Sequence, residues 1–189
     1  MHIFSEIELF NKYKSTIRDT SFDDNNNKRL IDSNRECIDF DKVKEKYTKE
    51  LNKIIDMPSS VDAVILLENK FLFVEFKNEN LRPDKNFPIL KKAKDSFLIF
   101  GDITESKIKY IRENSIFILV YSKEKNSEKN KTSRRSILKD LSNKANKEAI
   151  LFGMDKLIGL YFERVITMDD EEFLQILENE DDLESFFFK

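Results

Sequence analysis

Asp62 and the run Glu75-Phe76-Lys77 combine residue types and spacing that could do chemistry. Two carboxylates can hold a hard divalent cation through oxygen, and Mg²⁺ takes a few carboxylates completed by water and substrate phosphate. Such a cation activates water and neutralises charge on a phosphoryl group. A lysine beside it can orient the water or stabilise the developing charge. Elimination points the same way. The single histidine is His2, which leaves Ser-His-Asp and Cys-His mechanisms without a credible base. The single cysteine, Cys37, lacks the base partner a nucleophilic thiol needs. It cannot form an internal disulfide and suits a reducing cytoplasm. Zinc sites need several Cys or His ligands, and no glycine-rich phosphate loop occurs.

These residues lie on a segment that reads as a β-hairpin, SVDAVILLENKFLFVEFKN over 60–78. Two runs rich in Val, Ile, Leu and Phe flank a polar break. A two-residue loop at Asn69-Lys70 predicts that Glu68 faces Phe71, Val64 faces Glu75 and Asp62 faces Lys77. Alternation then puts Ala63, Ile65, Leu67, Leu72, Val74 and Phe76 on one apolar face. Val64, Leu66, Phe71 and Phe73 share the other with Asp62, Glu75 and Lys77. A sheet apolar on both faces should be covered on both, so the charges would form a cluster at the margin of a buried face. A one-residue slip would separate Asp62 from Glu75.

Asp62 followed by Glu75-Phe76-Lys77 resembles the catalytic signature of the PD-(D/E)xK nuclease superfamily, the restriction-endonuclease-like fold, over roughly 39–121. The resemblance implies a Mg²⁺-dependent (or Mn²⁺-dependent) nuclease. Asp62 and Glu75 would bind metal, Lys77 would act on the water or the charge, and the Phe76 backbone carbonyl would complete the metal shell. It also implies an upstream helix glutamate facing the metal. Glu45 and Glu50 are the candidates, with Glu50 preferred beside Tyr47 and Leu51. On the helix after the E-x-K strand, Lys94 is the candidate phosphate contact, against a solvated face. DNA is expected over RNA on the resemblance alone. The family often has a further strand between that upstream helix and the Asp strand. Met57-Pro58-Ser59 leaves no room for it, so either the N-terminal segment supplies it or the core is abbreviated. A bare D-x(n)-E-x-K is a short pattern in a chain that is 37% charged, and short motifs need structural context. The bland alternative is a structural Asp62–Lys77 pair with Glu75 at a sheet edge.

The elements that must position these residues follow from periodicity. Residues 1–20 fit a strand better than a helix, and Asp23 to Lys28 reads as a loop. Residues 39–55 read as a helix capped by Asp39 or Asp41. Residues 79–85 form an exposed connection, and 87–100 read as a helix stopped by Gly101. A short helix is expected near 107–112. Residues 115–121 (SIFILVY) read as a central strand parallel to the Glu75 strand. A basic loop follows over 122–136, where Arg134 and Arg135 are candidate phosphate contacts. Then come a helix at 136–149, a strand at 157–168 entered irregularly near Gly153 and Gly159, and a helix at 169–177 capped by Asp169 or Asp170.

The expected whole is one α/β domain over 1–189, a mixed central sheet flanked by helices. It has a nuclease-like core at about 39–121 and a C-terminal strand-helix extension at about 136–189. No run is long enough to span a membrane, and MHIFSEIELF does not resemble a signal peptide. A cytoplasmic protein is expected. Net charge is −3, so phosphate attraction would come from the basic stretch 123–147 rather than overall charge. Phe186-Phe187-Phe188 would be a liability if exposed, and should dock on the body or on a second subunit. A homodimer or protein partner through this cluster is therefore a further expectation. The alternative function is a non-catalytic nucleic-acid- or protein-binding module on the same fold.

Overall fold

The computed structural model describes residues 6–24, 26–52, 57–68, 70–126, 150–178 and 186–187. Its centre is the expected hairpin, β5 (Ala63–Leu66) and β6 (Phe71–Lys77), rich in the β-branched and aromatic residues that suit pleated, buried surfaces. β7 (Ser115–Tyr121) runs parallel to β6, and β8 (Arg164–Asp169) runs parallel to β7. On the other side, β4 (Glu36–Asp39) pairs antiparallel with β5, and β1 (Lys14–Thr16) pairs antiparallel with β4. The sheet thus has six strands in the order β1-β4-β5-β6-β7-β8. A two-stranded ribbon, β2 (Phe22–Asp23) with β3 (Lys28–Arg29), lies apart from it. The fold class is α/β with a mixed central sheet.

The hairpin register differs from the expected one by two residues. Ala63 pairs with Val74, and Leu66 with Phe71. The connection from Leu66 to Phe71 is closed by the Leu67 N–H donating to the Lys70 carbonyl. A two-residue shift preserves face parity because side chains alternate with period two. Ala63, Ile65, Leu67, Leu72, Val74 and Phe76 accordingly share one apolar cluster, and Val64, Phe71 and Phe73 belong to the other. Extended by one residue, the register sets Asp62 opposite Glu75 rather than Lys77.

Helices cover both faces. On the Phe73 side lie α3 (Phe40–Glu50) and α4 (Phe87–Ile103), through Phe40, Val43, Ala93, Phe97 and Phe100. Phe73 meets the rings of Phe40, Phe100 and Phe162 at centroid distances of 6.2, 5.3 and 5.3 Å. On the Phe76 side lies α6 (Asp170–Glu178), through Phe173 and Leu177. Its start is a reciprocal cap: Asp169 accepts from the Glu172 N–H while Glu172 accepts from the Asp169 N–H.

Several expectations are corrected. Residues 8–20 are not one strand: α1 (Glu8–Lys12) and α2 (Ile17–Thr20) flank the short β1. The upstream helix starts at Phe40, capped by Asp39 accepting from the Lys42 N–H, and ends at Glu50. Gly101 does not stop α4. It lies buried inside the helix, where a Cβ would meet Ile111 Cδ1 of α5 (Ile108–Asn114) at 3.0 Å; the absence of a Cβ serves close helix packing rather than a stop. The last strand begins at Arg164, not 157. The chain before it forms a short 3₁₀ turn, Met154–Leu157, bracketed by Gly153 and Gly159 at φ 69° and 73°. Residues 123–126 are helical rather than loop. The expected helix at 136–149 lies outside the described residues. N-terminal strands β1 and β4 supply pairing beside the Asp62 strand, the first of the two options left open above.

Candidate active site

The sequence places Asp62 immediately before β5 and Glu75 near the carboxyl end of β6. β6 lies between β5 and β7, so Glu75 is central in the sheet rather than at its edge. The chain holds Asp62 from several sides. Its carbonyl accepts from the Phe40 N–H at the start of α3 (3.1 Å). Its Oδ2 accepts from the Phe76 N–H at 2.6 Å. The segment leading to it is tied to α4: the Ser59 N–H donates to Asp95 Oδ2 (2.8 Å) and the Val61 N–H donates to Ser96 Oγ (2.8 Å). Beyond Lys77, the turn at 123–126 braces the chain, with Lys125 Nζ donating to the Asn78 carbonyl and Asn126 Nδ2 to that of Glu79.

Asp62, Glu75 and Lys77 converge as expected, and a fourth residue joins them. Lys92 of α4 donates to Asp62 Oδ1 at 3.1 Å and to Glu75 Oε2 at 3.1 Å, and lies 2.8 Å from Glu75 Oε1. Lys77 Nζ lies 2.9 Å from the same Oε1. Two carboxylates thus face two ammoniums. The structural Asp62–Lys77 pair is not what forms: Lys77 sits on Glu75, and Lys92 bridges both acids. Glu75 is fully buried. Burial, reinforced by the Glu75 charge, pushes the Asp62 carboxyl up to about 7. Burial opposes charge on Lys77 and Lys92, yet Glu75 beside both, with Asp62, holds the two ammoniums above the ordinary lysine value.

The donor set fits a hard divalent cation. Glu75 Oε1 is buried and receives no hydrogen bond of good geometry, although two ammoniums lie within 3 Å of it. Such a position suits a non-directional cation. The Lys77 carbonyl accepts from the Ser122 N–H towards β7, so alternation turns the Phe76 N–H and carbonyl to the opposite side, where Asp62 lies. Among the described residues no group of three or more His, Cys, Asp or Glu forms a metal cluster. An ion held here would therefore rely on two carboxylates, a carbonyl, water and substrate. Beside the cluster, a cavity of about 440 Å³ is lined by Asp62, Phe76 and Lys77 and walled by Asp23, Asp24 and Glu79.

Other expected contacts fall elsewhere. Glu50 does not join the site; it is exposed and pairs with Lys46 at 3.1 Å, because α3 turns that side of its last turn to solvent. Lys94 points to the opposite flank of α4 and lies over the Tyr161 ring at 5.5 Å. Arg134 and Arg135 lie outside the described residues. Cys37 is buried against Thr20, and burial pushes its thiol up to about 12, which makes it inert as a nucleophile. Sequence reasoning missed Lys92, Asp95 and Ser96. The available signal was helical spacing: Lys92 is three residues from Ile89 and four from Ser96, both buried. No family model, curated protein or solved structure matches the chain.

Proposed function

We propose that this chain is a divalent-metal-dependent nuclease of the PD-(D/E)xK type, hydrolysing phosphodiester bonds of nucleic acid, with DNA preferred. The observation that carries this is the convergence of Asp62, Glu75 and Lys77 on one cation-filled gap at the carboxyl end of a central strand, where open α/β sheets place ligands. Asp62, Glu75 and the Phe76 carbonyl would hold Mg²⁺ or Mn²⁺. When bound, that ion would supply an activated water and charge neutralisation at phosphorus. Asp62 is oriented for its role by the Phe76 N–H and by the α4 contacts that fix residues 59–61. Lys77 stands beside Glu75, where its ammonium can orient water or offset charge on a phosphoryl oxygen. The acidic cavity walls also favour a metal requirement, since a phosphate approaching Asp23, Asp24 and Glu79 needs compensating positive charge.

The Lys92 bridge favours a second reading, a non-catalytic binding module whose ion cluster is complete without metal. A cleavage assay on plasmid and single-stranded DNA with Mg²⁺ or Mn²⁺ separates the two. Metal-dependent cleavage lost in Glu75→Ala and Lys77→Ala is expected. Inactive wild type across metals and substrates, with folded variants, selects the second reading. No helix among the described residues is long and apolar enough to cross a membrane.

A further inference from the structure

Lys92 occupies the place between Asp62 and Glu75 that a metal ion would need. Its ammonium touches one oxygen of Asp62 and both oxygens of Glu75, at 2.8 to 3.1 Å. No other cation among the described residues is shown touching both acids. Lys77 reaches Glu75 alone. The ammonium brings one positive charge to two carboxylates, whereas Mg²⁺ or Mn²⁺ brings two, on oxygens at roughly 2.1 Å. Both cannot sit there.

We propose that Lys92 is an exchangeable counter-ion: its ammonium holds the Asp62–Glu75 gap in the metal-free protein and swings out when a divalent ion enters. The proposal rests on the metal-site reading above and adds to it how the site is kept and opened. The helix need not move. α4 is pinned to residues 59–61 through Asp95 and Ser96, while Lys92 sits on the margin of its buried face with a side chain 25% exposed. A four-carbon stem with rotatable donors lets the ammonium leave alone. The exchange keeps the buried Glu75 and the half-buried Asp62 compensated when metal is scarce, since an unpaired buried charge is strongly destabilising. It also weakens metal binding, because the ion must displace a bound cation. A substrate phosphate that takes up the freed ammonium would help metal enter, and by linkage metal would tighten phosphate binding by the same factor.

The direct test uses wild-type protein. Lysines are acylated with an amine-selective reagent, in chelator and in Mn²⁺, and located by mass spectrometry. Lys92 should be protected in chelator and become several-fold more reactive in Mn²⁺, with exposed Lys109 as the unchanged reference. Calorimetric Mn²⁺ titration adds a second readout. Lys92→Met should bind Mn²⁺ on the order of tenfold more tightly than wild type, the usual scale of coupling between two ligands. Lys77→Met removes the same charge but leaves the bridge, and should gain less. If Mn²⁺ binds wild type while Lys92 stays protected, the exchange is wrong and the metal site stands. If Mn²⁺ binds neither wild type nor Lys92→Met, the metal reading and the exchange fall together. The labelling experiment decides the matter even where Lys92→Met fails to fold.

Discussion

Asp62 is the titrating centre of the cluster. In the unfolded chain its carboxyl ionises near the ordinary value of 3.8, and in the fold it keeps its proton up to about 7. Between those values the native state binds more protons than the unfolded one, so stability falls as pH rises through that window. In chelator, the unfolding free energy of wild type should decline from pH 4 to pH 7 more steeply than that of Asp62→Asn. Equal slopes in denaturant titrations would mean that Asp62 is ionised throughout. Lys77 and Lys92 work against this decline by favouring the carboxylate. The same residues set the outcome of the cleavage and Mn²⁺ experiments above, where Glu75→Ala and Lys77→Ala should abolish activity and Lys92→Met should tighten metal binding.

At the scale of elements, α4 is the part that assembles the site. Its buried stripe, Ile89, Ala93, Phe97 and Phe100, packs on the Phe71–Phe73 face of the sheet. Its polar margin carries Lys92, Asp95 and Ser96 to the residues around Asp62. Ser96 is fully buried and is the acceptor for the Val61 N–H. Ser96→Ala should cost about 1–3 kcal/mol in urea unfolding, because the buried N–H is left without a partner. It should also lower cleavage in folded protein, since Asp62 adjoins the released residue. A stability loss with full activity would show that Asp62 is positioned by Phe40 and Phe76 without α4.

At the scale of the whole molecule, Phe187 packs into the core. Phe187 is 1% exposed and belongs to the cluster with Val74, Phe76, Ile118 and Phe173. The Arg164 guanidinium lies 3.4 Å from the Phe187 carbonyl as donor. For Phe187 this is docking on the body, one of the two options for the Phe run; Phe188 lies outside the described residues. Phe187→Ala should lower stability by about 3 kcal/mol or somewhat more, the cost of truncating a buried Phe. An unchanged melting temperature would show that this contact does not form in solution.

Much of this was legible in the chain. Alternating apolar runs specified two sheet faces correctly even though Phe71 pairs with Leu66 rather than Glu68, because a two-residue slip leaves parity intact. The types and spacing of Asp62, Glu75 and Lys77 were enough to bring them to one place. The parallel pairing of β6 with β7 followed from an apolar strand, a helical crossover and a second apolar strand. The tertiary structure alone decided which lysine of α4 enters the site. Lys92 and Lys94 lie on opposite flanks of one apolar stripe, and local sequence treats the flanks alike. Which flank meets Asp62 depends on how the helix packs across the sheet, and that packing turns Lys92 to the carboxylates and Lys94 to Tyr161. Helical spacing can mark a margin as half-buried, but only the neighbouring strand can say what that margin touches.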